Sequence, residues 1–319
     1  MNSRLVLIVS GIVFLIVILN LGNHKRLNVI KNDVISYYSY LPATFIKQDL
    51  RLRFLNDSDY VKDPDEYWSK ALNNGNHVFK TTMGLSMLYA PFFLIAHIYA
   101  LLFDYDQNGF SEPYQLAISL SSLFYGLMGL FIVRKLLLRY FNEVVTSITL
   151  IIISFGTNLY YYICFEGAMP HSFSFCLVSA LVLLTVKFYE KPIYFDAPLI
   201  GLIAGLLILI RPSNIFLLLF PILYGINYRL IEDRFRFYQR HFIKLIIIVS
   251  IAFVICLPQL IYWKYVTGNW LFYSYGEEKF YFNQPHIPEV LFSFRKGWFI
   301  YSPLMILSIA GLFFLKNKL

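Results

Sequence analysis

The sequence predicts an all-α membrane protein, a polytopic bundle of about eight transmembrane helices, and three observations carry that reading. Hydrophobic residues fill 58% of the 319 positions and charged residues only 14%, against roughly half and about a quarter in an ordinary globular chain. The apolar residues gather into runs that, with their flanks, approach the roughly 20 residues needed to cross about 30 Å of hydrocarbon. Those runs lack the roughly ten-residue alternation of barrel strands, so each is expected to satisfy its own backbone polar groups as a helix. So much apolar surface does not fit inside one soluble core.

Taken in order, the runs are Leu5 to Leu19, Leu116 to Val133, Ile148 to Ile163, Leu177 to Val186, Leu199 to Ile210, Ile215 to Ile226, Leu245 to Leu257 and Phe299 to Leu315. The first follows Arg4 and resembles a signal-peptide core, but no small-x-small cleavage site precedes Asn23-His24-Lys25-Arg26, so it reads as a retained span. Lys and Arg concentrate in Arg134 to Tyr140, Lys187 to Lys191, Arg229 to Lys244 and Lys316 to Lys318, stretches that the positive-inside rule assigns to the cytoplasm. Asp104 to Tyr114 and Phe165 to His171 hold no Lys or Arg and are expected outside.

The chain then reads as one transmembrane domain, 1–319, with a first external loop at 22–113 and a second large one at 263–298. Residues 84–103 admit two readings, a span or a helix lying in the interface, and the two place the preceding loop on opposite sides. That loop carries Lys25, Arg26, Lys31, Lys47, Arg51, Arg53, Lys62, Lys70 and Lys80, but loops near 60 residues are where charge counting loses force. The formal charge of +8 is largely topological, and nothing supports nucleic-acid binding. Cys164, Cys176 and Cys256 lie in or beside apolar segments without C-x-x-C spacing, which suggests neither a disulfide framework nor a zinc site.

A few polar residues are candidates for chemistry. Asp33 follows the first span, where a carboxylate near the bilayer surface is placed to take a proton from an acceptor hydroxyl or, more plainly, to cap a helix. Arg211 interrupts an apolar run before Pro212, Ser213 and Asn214; a cation there costs roughly 2.5–3.5 kcal/mol to insert, so it meets a phosphate or snorkels to head groups. Arg295 and Lys296, before the last run, carry the same two readings. Glu166 and His171 flank Gly167-Ala-Met-Pro170 and are available to a divalent metal, although two ligands are few for a hard cation.

Asp33 with Tyr37 and Tyr38, followed by Lys80 opening an apolar helix, resembles the first external loop of the GT-C glycosyltransferases, membrane enzymes that use polyprenyl-phosphate sugars. Protein O-mannosyltransferases and lipid A aminoarabinose transferases belong to that superfamily. Asp33-Val-Ile-Ser-Tyr-Tyr-Ser-Tyr-Leu-Pro42, Arg211-Pro-Ser-Asn214 and Phe292-Ser-Phe-Arg-Lys-Gly297 are similar to stretches of a bacterial GT-C-like branch. The resemblance covers nearly the whole chain, although such relatives continue past the position of Leu319. It implies an inside N-terminus, with residues 84–103 along the outer surface.

What the resemblance implies for function is a bacterial inner-membrane enzyme with its site facing the periplasm. There Asp33 would be the general base, and Lys80, Arg211, Arg295 and Lys296 would hold the donor phosphate. Tyr37, Tyr38, Glu166 and His171 would line the substrate pocket, and Glu166 or His171 would stand in for the acidic residue that in such relatives helps hold a metal or the donor phosphate. The partners expected are a polyprenyl-phosphate-linked sugar, the bilayer, and a glycan, lipid or protein acceptor. A flippase of lipid-linked sugars and a non-catalytic carrier-binding subunit are the competing readings.

Overall fold

The computed structural model describes residues 2–56, 69–226, 231–275, 283–295 and 297–314. Helix α1 (Ser3–Leu21) opens where the Asn2 side chain accepts the Arg4 N–H at 2.9 Å and closes at Gly22, whose φ of 62° suits a residue without Cβ. Short helices α2 (Asp33–Tyr38) and α3 (Tyr40–Phe45) follow. Strands β1 (Ser69–Ala71) and β2 (His77–Phe79) then pair antiparallel. Their connection holds Asn74-Gly75, with Gly75 at φ 76°, the residue pair that hairpin turns favour.

Next come α4 (Gly84–Leu102), α5 (Glu112–Leu137), α6 (Glu143–Phe155), α7 (Leu159–Cys164), α8 (His171–Glu190) and α9 (Asp196–Ile210). A 3-10 helix over Pro212–Leu218 runs into α10 (Leu219–Leu223). Helices α11 (Ile231–Arg240), α12 (Phe242–Thr267), α13 (Ile287–Phe292), α14 (Trp298–Tyr301) and α15 (Leu304–Leu312) follow.

Among the described residues, five helices are long and apolar enough to cross a membrane: α1, α4, α5, α8 and α12. The count therefore differs from the eight runs read in the sequence, for local reasons. The 148–163 run breaks after Phe155, where the Thr157 hydroxyl turns back to the Ile153 carbonyl at 2.8 Å and caps Leu159 N–H at 3.2 Å. Run 199–210 makes only the 15-residue α9, because Pro212 disfavours helical backbone at Arg211. Run 215–226 starts in 3-10 geometry, and the last run is split at Ser302-Pro303. The short hairpin is a small addition to a fold that is otherwise all-α.

Polar side chains mark the two ends of the bundle. At one end Arg134 bonds Ser3 Oγ at 2.6 Å and meets Glu143 at 3.2 Å, Ser3 N–H bonds Glu143 at 3.0 Å, Arg139 pairs with Glu190, and Lys244 donates to the Pro192 carbonyl at 2.6 Å. The basic stretches at 134–140 and 187–191 and the described part of 229–244 thus gather there; Lys316 and Lys318 lie outside the described residues. The opposite end collects the close of α1, the starts of α5 and α8, and the ends of α9 and α12. Against it lies α4: Gly84 abuts Leu209 and Ile210, the Tyr89 hydroxyl bonds the Ala168 carbonyl, and His97 meets the Tyr114 hydroxyl at 2.5 Å.

Close packing holds the apolar helices together, as it must where hydrocarbon supplies no hydrophobic drive between them. Gly201 and Gly205, four apart on α9, face α12 so tightly that an added Cβ would sit 2.5 Å from the Ile248 carbonyl oxygen and 2.7 Å from Ile255 Cβ. The outer face of α12 leaves Val249, Phe253 and Val254 exposed, as a lipid-facing surface would.

Candidate functional site

A cavity of about 820 Å³ opens at the second end, lined by residues from α2, the β2–α4 link, the α9–Pro212 joint, and the end of α12 with the segment that follows it. Among the described residues, its charged groups are Asp33, Lys80 and Arg211. The volume lies within the range usual for small-molecule sites.

Each is delivered by local structure. Asp33 opens α2 after Asn32, which takes φ 50°, and Tyr37 stands four residues on, so carboxylate and phenol share one helical face. Lys80 leaves β2 directly. The hairpin is docked on α12, where Asn74 and Asn76 amides both donate to the Val266 carbonyl, at 3.0 and 2.8 Å, and the Tyr262 hydroxyl accepts the Phe79 N–H at 3.1 Å. Arg211 ends α9 in extended backbone with φ −151° and ψ 123°, and the Asn214 side chain caps the Leu207 carbonyl at 3.0 Å.

Two joints fix how these pieces meet. Thr82 Oγ1 donates to the Leu209 carbonyl at 2.6 Å, and Gly84 lies against the same peptide, tying the Lys80 segment to the Arg211 turn. Ser36 accepts both the backbone N–H of Thr81, at 3.1 Å, and its hydroxyl, at 3.2 Å, tying that segment to α2. The Ser36, Thr81, Thr82 and Ser274 hydroxyls at the cavity wall are therefore all engaged inside the protein, the last on the Lys80 carbonyl.

The electrostatics suit an anion. Asp33 and Arg211 form no ion pair among the described residues, and Lys80 Nζ lies 5.9 Å from the centre of the Tyr275 ring. Tyr37 is 4% exposed. Burial pushes its phenol up, the adjacent Arg211 guanidinium pulls it back, and Asp33 raises it further. The Tyr37 phenol thus stands within reach of the Arg211, Asp33 and Lys80 charges at the cavity. Trp263, Phe272, Tyr273 and Tyr275 form an aromatic wall, an amphipathic surface for an apolar or ring-shaped part of a ligand.

Of the residues expected from sequence, the cavity gathers Asp33, Tyr37, Lys80 and Arg211, and it leaves out several. Tyr38 is fully buried, its hydroxyl on the Gly109 carbonyl and its ring edge-on to Phe93 and Phe110; one step along a helix turns a side chain about 100°, away from Asp33 and Tyr37. Glu166 faces Lys31 at 4.0 Å, in a recess of about 10 Å³, room for about one water. His171 stacks on Tyr162 with ring centres 3.7 Å apart. Among the described residues no three His, Cys, Asp or Glu side chains converge as metal ligands. Arg295 is exposed and does not line the cavity, and Lys296 lies outside the described residues.

No family model matches the chain, and no curated protein or solved structure matches it either.

Proposed function

We propose that this membrane-embedded chain is a glycosyltransferase of GT-C type that moves a sugar from a polyprenyl-phosphate donor to an acceptor hydroxyl. The observation that carries this reading is the convergence of Asp33, Tyr37, Lys80 and Arg211, from distant parts of the chain, in one cavity. Such a cavity offers two cations to a leaving phosphate, one carboxylate to an acceptor proton, and an aromatic wall to the remainder of the donor.

The step balances as a single displacement. The acceptor oxygen bonds to the anomeric carbon as the bond from that carbon to the phosphate oxygen breaks, and the acceptor proton passes to Asp33. The polyprenyl phosphate departs with the bonding electrons, its charge stabilised by Lys80 and Arg211, which is the type of preorganised electrostatic help that lowers such barriers. One displacement inverts the anomeric centre.

In this reading the chain crosses the membrane eight times, with α6 and α7 together making one crossing, 212–223 another, and the segment that holds α14 and α15 the last. Helix α4 lies along the outer boundary. The basic end faces the cytoplasm by the positive-inside rule, which leaves the cavity extracytoplasmic, in a bacterial inner membrane facing the periplasm. Gathering of the charges at one end favours a transferase over a flippase, which needs access from both sides.

The test is release of polyprenyl phosphate from a polyprenyl-phosphate sugar by protein in lipid nanodiscs. Wild type is expected to turn over, and Lys80→Ala and Arg211→Ala to lose donor capture. Donor binding by wild type with no turnover, across a panel of sugars and acceptors, would favour the carrier-binding subunit instead.

A further inference from the structure

Asp33 has an exposed side chain at the first position of a six-residue helix, so its place is set by the backbone that leads into it. That backbone, Val29 to Asn32, belongs to no helix or strand; its internal bonding includes the Lys31 N–H on the Val29 carbonyl at 3.2 Å. It is held from outside. Gln115, in the first turn of α5 and 2% exposed, accepts the Val29 N–H at 3.0 Å and the Ile30 N–H at 2.8 Å on its one carbonyl oxygen. Its amide nitrogen donates to the Phe110 carbonyl at 3.0 Å, which fixes which way the amide faces. Lys31, facing Glu166 at 4.0 Å, is a second tether beside it.

We propose that Gln115 is a positioning residue for Asp33: by gripping two consecutive peptides just ahead of α2, it sets where the carboxylate stands in the cavity. Buried polar backbone without a partner is costly, and a single Gln oxygen here takes the place of the strand neighbour that this segment lacks. The grip lies on the Asp33 side of the cavity, whereas Lys80 and Arg211 are fixed independently through Thr82, Gly84 and the docked hairpin. Loosening Gln115 therefore displaces the base and leaves the cations in place. The proposal rests on Asp33 acting as base.

The experiment compares Gln115→Leu, Gln115→Asn and Gln115→Glu with Asp33→Asn, all in nanodiscs, using a polyprenyl-phosphate sugar as donor and counting only folded protein. Leu removes the grip, Asn withdraws the amide by one methylene, and Glu keeps the accepting oxygen. The expected result is a turnover loss of about tenfold to a hundredfold in the Leu and Asn variants, with donor KM within about threefold of wild type, since a misplacement near 1 Å has that effect. Gln115→Glu is expected to keep most of the activity. Unchanged turnover per folded molecule in the Leu and Asn variants, or a donor KM that rises in step with the loss, overturns the proposal. Should the Leu variant not fold, the Asn and Glu pair decides. Wild-type turnover by Asp33→Asn would instead remove the base reading itself, whatever Gln115 does.

Discussion

Gly84→Ala probes the joint that brings the two cations together. The first residue of α4 lies so close to the end of α9 that a Cβ would fall 2.3 Å from the Leu209 carbonyl carbon and 2.5 Å from the Ile210 nitrogen. Both are backbone atoms, so no rotamer change relieves the overlap. Ordinary contact begins at 3.4 Å, which leaves about 1.1 Å to be made up by moving the chains apart. The Thr82 hydroxyl, 2.6 Å from the Leu209 carbonyl, cannot follow such a shift and keep its bond.

Overpacking of this kind costs about 1–3 kcal/mol, and the lost hydrogen bond adds about 0.5–1.5 kcal/mol. Lys80 and Arg211, one to four residues from the contact, would separate by a similar distance, for which a loss of up to about a hundredfold is the usual scale. Polyprenyl-phosphate affinity and turnover of Gly84→Ala in nanodiscs measure this, with Thr82→Val as a control that removes the bond without the push and loses less. A folded Gly84→Ala protein that binds and turns over within about twofold of wild type would refute the claim that this joint sets the spacing.

Arg211→Lys keeps the charge but loses the planar fork, and is expected to weaken donor affinity less than Arg211→Ala, which should lose about 2–5 kcal/mol; equal affinities in calorimetry would show that Arg211 does not touch the phosphate. Tyr37→Phe removes the hydroxyl facing Arg211 and is expected to raise donor KM severalfold, with little effect on thermal stability, in paired kinetic and melting measurements. His77, in the hairpin that carries Lys80, is held below its ordinary value of 6.5 by burial. Its neutral form is favoured when folded, so the stability it contributes is present above 6.5 and lost as pH falls through the lowered value. Hydrogen exchange in residues 69–79, corrected for intrinsic rate, should therefore rise on acidification, and His77→Gln should flatten that rise.

The long apolar runs made the bundle legible because hydrocarbon leaves a spanning chain so few choices, and α1, α5, α8 and α12 are the outcome. Where a run ends is set by single residues, such as Thr157 or the Arg211-Pro212 pair, which a hydropathy pattern averages away. Asp33 and Arg211 stood out as charges at apolar boundaries, and Lys80 came with them through the order of the motifs. Tyr38 and Glu166, expected at the pocket from the resemblance, stand apart from the cavity because a helical step turns one inward and Lys31 faces the other. The hairpin had a signal in Asn74-Gly75, although its strands are only three residues each. Gln115 had none, since its value lies in two peptides more than eighty residues away.

Substitution of Asp33 by Asn, read by turnover and donor binding on the same preparation, puts the greatest strain on the account. A carboxamide keeps the size and loses the proton-accepting charge, so sugar transfer should collapse while polyprenyl-phosphate affinity stays close to wild type. Transfer at the wild-type rate, or loss of binding equal to the loss of transfer, would contradict it.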